Sequence, residues 1–151
     1  MTRITPLFAD LVRVETRLYN AVGARLREEL GLSLGQFEFL EVIDRVPDCR
    51  VLDLVGELAI TVGAVSKAVD RLVEAGWCRR EAHPQDRRSS LLRLTPEGAE
   101  RLAAGRPVIE GALRALTASV PPAELARLAG TLSALRTALE AGPCDGAPAG
   151  P

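Results

Sequence analysis

The stretch from residue 51 to residue 95 constrains this chain most, because its hydrophobic period changes within one short span. Val51 to Ala59 reads as a short helix with Leu52, Val55, Leu58 and Ala59 inward. Thr61 reads as an N-cap, and Val62 to Ala75 as a second helix burying Val65, Val69, Leu72 and Val73. Gly76 is the stop. The period then shortens: Trp77–Glu81 and Leu91–Thr95 fit two strands. Between them His83-Pro84-Gln85-Asp86-Arg87-Arg88 is too polar to bury and carries turn residues. Helix, tight turn, helix and hairpin in that order point to a mainly α fold, a winged helix-turn-helix with a two-stranded β-wing.

The flanks are helical. Pro6 suits a first turn, and Leu7, Leu11, Val14, Leu18, Val22 and Leu26 form a stripe that Gly31 ends. Such a helix is long for a small globular protein, which suggests packing beyond its own subunit. Ser33 with Gln36 forms a capping box for the next helix. Its apolar face is Phe37, Leu40, Val42 and Ile43, and Pro47-Asp48 end it. Thr95-Pro96-Glu97 opens another helix carrying Leu102, Val108, Ile109, Leu113 and Leu116, which Pro107 is expected to kink or break. After Pro121-Pro122, Leu125, Leu128, Leu132, Leu135 and Leu139 make an a/d seam for helix–helix packing. The chain is therefore expected to be one subunit, residues 1–151. Long helices at 5–30 and 96–141 serve dimerisation, 33–95 form the winged lobe, and 142–151 form a flexible tail.

Charge is distributed unevenly. The total is 19 basic against 20 acidic residues, a net charge of −1. Residues 61–93 hold seven basic and four acidic side chains, 7 − 4 = +3, which leaves −1 − 3 = −4 elsewhere. The near-neutral sum therefore combines a basic lobe with an acidic scaffold. No apolar run approaches the roughly 20 residues of a membrane span. The start of the chain lacks the zones of a signal peptide, so a cytoplasmic protein without membrane contact is expected. The three cysteines show neither metal spacing nor a disulfide framework. Cys49 follows Pro47-Asp48 in an expected exposed loop and is the first candidate for redox sensing; Cys78 reads as a small core residue, and Cys144 lies in the tail. His83 is a lone loop histidine. Without a phosphate loop, a nucleophile elbow or a Cys–His pair at motif spacing, no enzyme, cofactor or metal site is expected.

The lobe's residue types fit double-stranded DNA. A helix entering a major groove about 12 Å wide needs a slim, hydrogen-bonding first turn, and its N-terminus favours phosphate. Thr61, Val62, Gly63, Ser66, Lys67 and Arg71 lie along that start and one outer side. Val62 suits a thymine methyl; Ser66 and Lys67 suit base edges or phosphates. Arg87 and Arg88 at the wing tip suit an adjacent minor groove. Asp86 is near enough to steady an arginine, and Asp70 to pair with Lys67 or Arg71. Strand alternation sends Arg79 and Arg80 to opposite faces.

The run Leu58-Ala59-Ile60-Thr61-Val62-Gly63-Ala64-Val65-Ser66-Lys67-Ala68-Val69-Asp70-Arg71-Leu72-Val73-Glu74-Ala75-Gly76-Trp77 resembles the helix-turn-helix of the multiple-antibiotic-resistance regulator (MarR) family. Asp86-Arg87-Arg88 resembles that family's Asp-x-Arg wing, and Leu94-Thr95-Pro96-Glu97-Gly98 its Leu-Thr-x-x-Gly sequence. The resemblance implies a homodimer that binds a pseudo-palindromic operator, usually represses, and is released by a small-molecule effector, often phenolic or otherwise anionic. It implies that Arg88 enters the minor groove and that Asp86 braces the wing. The family's effector cleft lies between the dimer lobe and the winged helix; Arg17, Tyr19, Phe37 and Phe39 are candidates to line it, but sequence does not orient them and none is assigned as a ligand residue. The alternative is a winged helix used as a protein–protein interaction or dimerisation module without specific DNA binding. Guanidinium groups at the wing tip favour the DNA reading.

Overall fold

A computed structural model describes residues 3–142. Among these, six helices and one two-stranded sheet run in the order α1 (Ile4–Leu30), α2 (Leu34–Arg45), α3 (Val51–Leu58), α4 (Val62–Glu74), β1 (Cys78–Ala82), β2 (Ser90–Leu94), α5 (Pro96–Leu116) and α6 (Pro122–Glu140). The chain divides into two compact units, Met1–Ala115 and Leu116–Pro151. Residues 143–151, with Cys144 and most of the expected tail, lie outside the described residues.

In the first unit local chemistry sets most helix ends. Gly31 closes α1 at φ 63°, its N–H reaching the Arg27 carbonyl at 2.9 Å. The capping box of α2 is reciprocal: Gln36 N–H donates to Ser33 Oγ at 3.1 Å, and Ser33 N–H to Gln36 Oε1 at 2.9 Å. Thr61 Oγ1 caps α4 by accepting from Ala64 N–H at 3.3 Å. At the far end of α4, Gly76 takes φ 78° and donates to the Val73 carbonyl, while Trp77 N–H reaches back to Leu72. That 5→2 and 6→1 pair is a Schellman closure, which needs the left-handed conformation glycine adopts freely.

One core joins these pieces. α2 supplies Phe37, Phe39, Leu40, Val42 and Ile43; α4 supplies Val65, Val69 and Leu72; Leu26, Leu54, Cys78, Leu92 and Leu102 complete the contact. Each fully buried aliphatic side chain is worth about 1.5–3 kcal/mol, so three of them on one face hold α4 and leave its opposite face bare. β1 and β2 pair antiparallel from Cys78↔Leu94 to Ala82↔Ser90. The strands are thus shifted by one residue from the expected 77–81 and 91–95. Trp77 is already committed to the Schellman closure, and Thr95 to capping α5.

Several expectations are corrected. Leu52 is 69% exposed and Ala59 is exposed at φ 52°, whereas Leu54 is buried. An eight-residue helix offers one narrow stripe, here Val51, Leu54, Val55 and Leu58. Val73 lies just off the buried stripe of α4 and is exposed. Pro107 does not break α5, which runs unbroken from Pro96 to Leu116 with the proline exposed. Cys49 is fully buried, not exposed: its carbonyl accepts from Leu92 N–H at 2.8 Å, drawing it alongside β2. Burial pushes its thiol up to about 11, so the reactive thiolate is scarce at neutral pH and the redox reading loses its basis. Cys78 is a core residue as expected.

The first half of α1 is exposed along its stripe at Leu7, Leu11 and Val14, and only Val22, Gly23 and Leu26 are buried. In the second unit α6 begins with Pro122 in its first turn, and Leu128, Leu132, Leu135 and Leu139 of its seam are exposed. Among the described residues no helix is long and apolar enough to cross a membrane.

Candidate nucleic-acid interface

The outward side of α4 follows from its buried side. With Val65, Val69 and Leu72 inward, Gly63 and Lys67 fall roughly opposite, and Ser66 and Arg71 flank them on either side. Thr61, Val62, Gly63, Lys67 and Arg71 are exposed and Ser66 is half-buried. A Cβ built on Gly63 would meet no atom within 4 Å, so the leading turn is slim and open. The Thr61 hydroxyl accepts from Ala64 and keeps its own proton for a further acceptor.

The wing stands on a braced base and ends in a turned tip. His83 N–H donates to the Ser89 carbonyl at 3.3 Å, and Ser89 N–H to the Asp86 carbonyl at 3.1 Å. Asp86 Oδ1 accepts the backbone N–H of Arg88 at 3.0 Å. Asp86 therefore steadies the loop through main chain and not through a guanidinium. His83 Nε2 lies 2.6 Å from Arg50 Nη2, which connects the wing to the residue preceding α3.

Charge separates into paired and unpaired groups. Arg79 pairs with Glu81 at 2.8 Å, and Arg93 with Asp48 at 2.6 Å. Asp70 takes neither expected partner on its own helix; it pairs with Arg80 of the wing at 2.7 Å. β1 brings Arg80 alongside it. Among the described residues the side chains of Lys67, Arg71, Arg87 and Arg88 form no ion pair or hydrogen bond. Of the seven basic groups in residues 61–93, those four are therefore the ones available to a ligand. They are the four cations that the sequence pattern singled out.

At the closed end of α4 several residues interlock that sequence reasoning did not single out as a joint. Thr95 Oγ1 donates to the Gly76 carbonyl at 2.6 Å and accepts from Gly98 N–H at 3.1 Å. Thr95 N–H donates to the Trp77 carbonyl at 3.1 Å. A Cβ on Gly98 would overlap the Trp77 carbonyl oxygen and lie 2.8 Å from its carbon, so this helix turn packs backbone to backbone. The Leu-Thr-x-x-Gly pattern was the visible signal for this contact.

Of the residues near the expected effector cleft, Phe37 and Phe39 belong to the core. Tyr19 Oη lies 3.4 Å from Glu38 Oε2, and burial pushes the Glu38 carboxyl above its ordinary range. Arg17 is exposed. A cleft of about 300 Å³ between α2 and α4 is lined by Gln36, Phe39, Ala68 and Arg71, among others. Among the described residues no group of three or more His, Cys, Asp or Glu side chains is placed to hold a metal ion.

The profile of the MarR family matches residues 32–90. The multiple antibiotic resistance protein MarR of Salmonella typhimurium is 34% identical over 70 residues, 46% of this chain and 49% of the relative. The matched segment thus spans about half the length of that curated relative. A mutant MarR from E. coli, solved complexed with operator DNA, superposes with a TM-score of 0.80 at 26% identity, covering 87% of this chain and 94% of that one. A MarR family transcriptional regulator from Streptomyces coelicolor, solved in complex with DNA, gives a TM-score of 0.81 at 26% identity, covering 93% and 90%.

Proposed function

The chain belongs to the MarR family, and on that premise we propose that it is a cytoplasmic, homodimeric, sequence-specific DNA-binding transcriptional regulator. In this reading it represses by holding a pseudo-palindromic operator and is released by a small phenolic or otherwise anionic effector. The observation that carries it is the set of four unpaired cations, Lys67, Arg71, Arg87 and Arg88, placed on the recognition helix and the wing tip. The operator-bound and DNA-bound structures of its relatives support the same partner class.

The roles follow from position. Thr61, Val62, Gly63 and Ser66 form the slim leading turn, offering one methyl-bearing surface, hydroxyl groups and unbonded N–H groups to base edges and phosphates. Lys67 and Arg71 neutralise phosphates or reach bases beyond it. Arg88, with Arg87 beside it, enters the flanking minor groove, and Asp86 fixes the turn that presents them. The lobe doing this is 33–95. Residues 5–30 and 96–141 supply the dimer, because Leu7, Leu11 and Val14 of α1 and Leu128, Leu132, Leu135 and Leu139 of α6 are exposed apolar stripes in a single chain. Two lobes related by a dyad would address half-sites one helical turn apart, about 34–36 Å.

Fluorescence anisotropy with a labelled duplex from the gene's own upstream region tests the reading. Binding tighter than to random duplex is expected. If all four cations of both protomers neutralise phosphate, the log–log salt slope approaches roughly −7. Equal affinity for operator and random duplex at low salt overturns the proposal.

A further inference from the structure

One side chain carried by α5 packs against the closed end of α4 and also reaches the end of α1. Arg101, on the second turn of α5, places its guanidinium carbon 5.0 Å from the centroid of the Trp77 ring. Its Nη1 donates to the Leu30 carbonyl at 3.0 Å. Trp77 is the residue that completes the Schellman closure of α4, and its indole N–H donates to Glu97 of α5 at 3.3 Å. Leu30 is the last residue of α1, so its carbonyl is one of those a helix end leaves without an intrahelical donor. Arg101 is half-buried. A guanidinium can stack on an aromatic face and donate in its own plane at the same time, and an ammonium cannot do both.

We propose that Arg101 is a positioning residue that sets the angle between the DNA-reading lobe and α1. Resting on the regulatory reading above, this deepens it: Arg101 touches no DNA but fixes how far apart the two recognition helices of the dimer stand. The geometry supports this because the other contacts at the joint, through Thr95, Gly98 and Glu97, tie α4 and the wing to α5 alone. Arg101 adds the polar tie to α1, the helix whose exposed first half is offered to the partner subunit. With Arg101 in place the half-site spacing accepted by the dimer is narrow; without it the lobes swing.

The test uses the full-length protein with Arg101→Ala and Arg101→Lys. Binding is measured to the operator and to duplexes whose half-sites are moved one or two base pairs closer or further apart. For Arg101→Ala, affinity for the natural spacing is expected to fall roughly 2- to 30-fold, the range carried by a packed coupling contact. The penalty for altered spacing should shrink by a similar factor, while the salt slope stays unchanged because no phosphate contact is lost. Arg101→Lys should fall between, and it carries the same test if the alanine variant does not fold. Equal loss at every spacing, or unchanged discrimination, overturns the proposal and leaves Arg101 a structural residue. Trp77 is the only tryptophan, so its emission and acrylamide quenching report on the joint without DNA. Both should change in Arg101→Ala, and identical spectra overturn the proposal. If the wild-type protein shows no operator preference, the regulatory reading fails, and the Trp77 spectra still decide whether Arg101 holds the joint.

Discussion

The two ends of α4 are built on opposite principles. At its N-terminus a Cβ added to Gly63 would meet nothing within 4 Å, Thr61 and Val62 are exposed, and Lys67 has no ion-pair partner among the described residues. At its C-terminus Gly76, Trp77, Thr95 and Gly98 interlock through main chain and the Thr95 hydroxyl, with no room at Gly98 for an added methyl group. The difference shows how a helix can be both bare and exact in direction. The cations proposed to meet DNA are left without ion pairs, and their aim is supplied from the other end, by close backbone packing and the Thr95 hydroxyl. Stability and recognition are thereby separated along thirteen residues.

That separation can be broken from either end. The largest effect is expected at the closed end: Gly98→Ala drives a Cβ into the Trp77 carbonyl and should cost about 3 kcal/mol. Thermal denaturation would show this as a Tm lower by roughly 10 °C, and an unchanged Tm would mean that the joint yields easily. Next is the alkaline limit of the core behind the wing. The folded state holds the Cys49 proton more tightly than the unfolded chain, up to about 11 against 9.0. Its contribution is therefore complete below pH 9 and is lost as pH rises towards 11, by about 3 kcal/mol at about 1.4 kcal/mol per pH unit. Urea titrations at pH 8 and pH 10.5 should show a smaller decline in Cys49→Ala than in the wild type. Equal declines would place the alkaline limit in other groups.

At the open end the effects move to DNA. Arg88→Ala should weaken operator binding by about 1–3 kcal/mol without shifting Tm, since the side chain is exposed and forms no ion pair or hydrogen bond among the described residues. Unaltered affinity would move the wing contact to Arg87. The smallest effect has opposite signs in two measurements. Gly63→Ala should raise stability by about 0.5 kcal/mol through helix propensity and weaken operator binding, because the added methyl group occupies space that the proposed docking gives to a base edge. Calorimetry and anisotropy on the same preparation would reveal this, and a variant that gains in both would place Gly63 outside the groove.

Much of the fold was legible because it is written locally. Ser33 with Gln36, Thr61 and Gly76 mark helix ends by hydrogen bonds that span only a few residues. The four unpaired cations were legible for a related reason: each sits where helical or hairpin geometry forces it outward. What escaped was decided by distant chain. Cys49 looked like a loop residue until Leu92 drew its carbonyl beside β2. Asp70 found Arg80 because the hairpin folds back along α4. Arg101 gave no signal, since nothing near it in sequence reveals that Trp77 and the end of α1 meet there. Leu52 was misplaced because adjacent apolar residues on a two-turn helix admit more than one stripe.

The paired base of the wing has one more consequence. Leu91 and Leu92 are buried and Leu92 is tied to Cys49, so the ladder is fixed up to Ala82↔Ser90. Above that rung the loop from His83 to Ser89 is held to the rest of the lobe by the contact of His83 with Arg50 and otherwise bonds within itself. Two residues added to each strand would lengthen the hairpin by about 7 Å and return every side chain to the same face, whereas one added to a single strand would reverse it. Reach is therefore a dimension that a protein of this design can alter in whole steps. Grooves of different depth, or sites with a more distant flank, come within range without touching a residue of α4 or of the core.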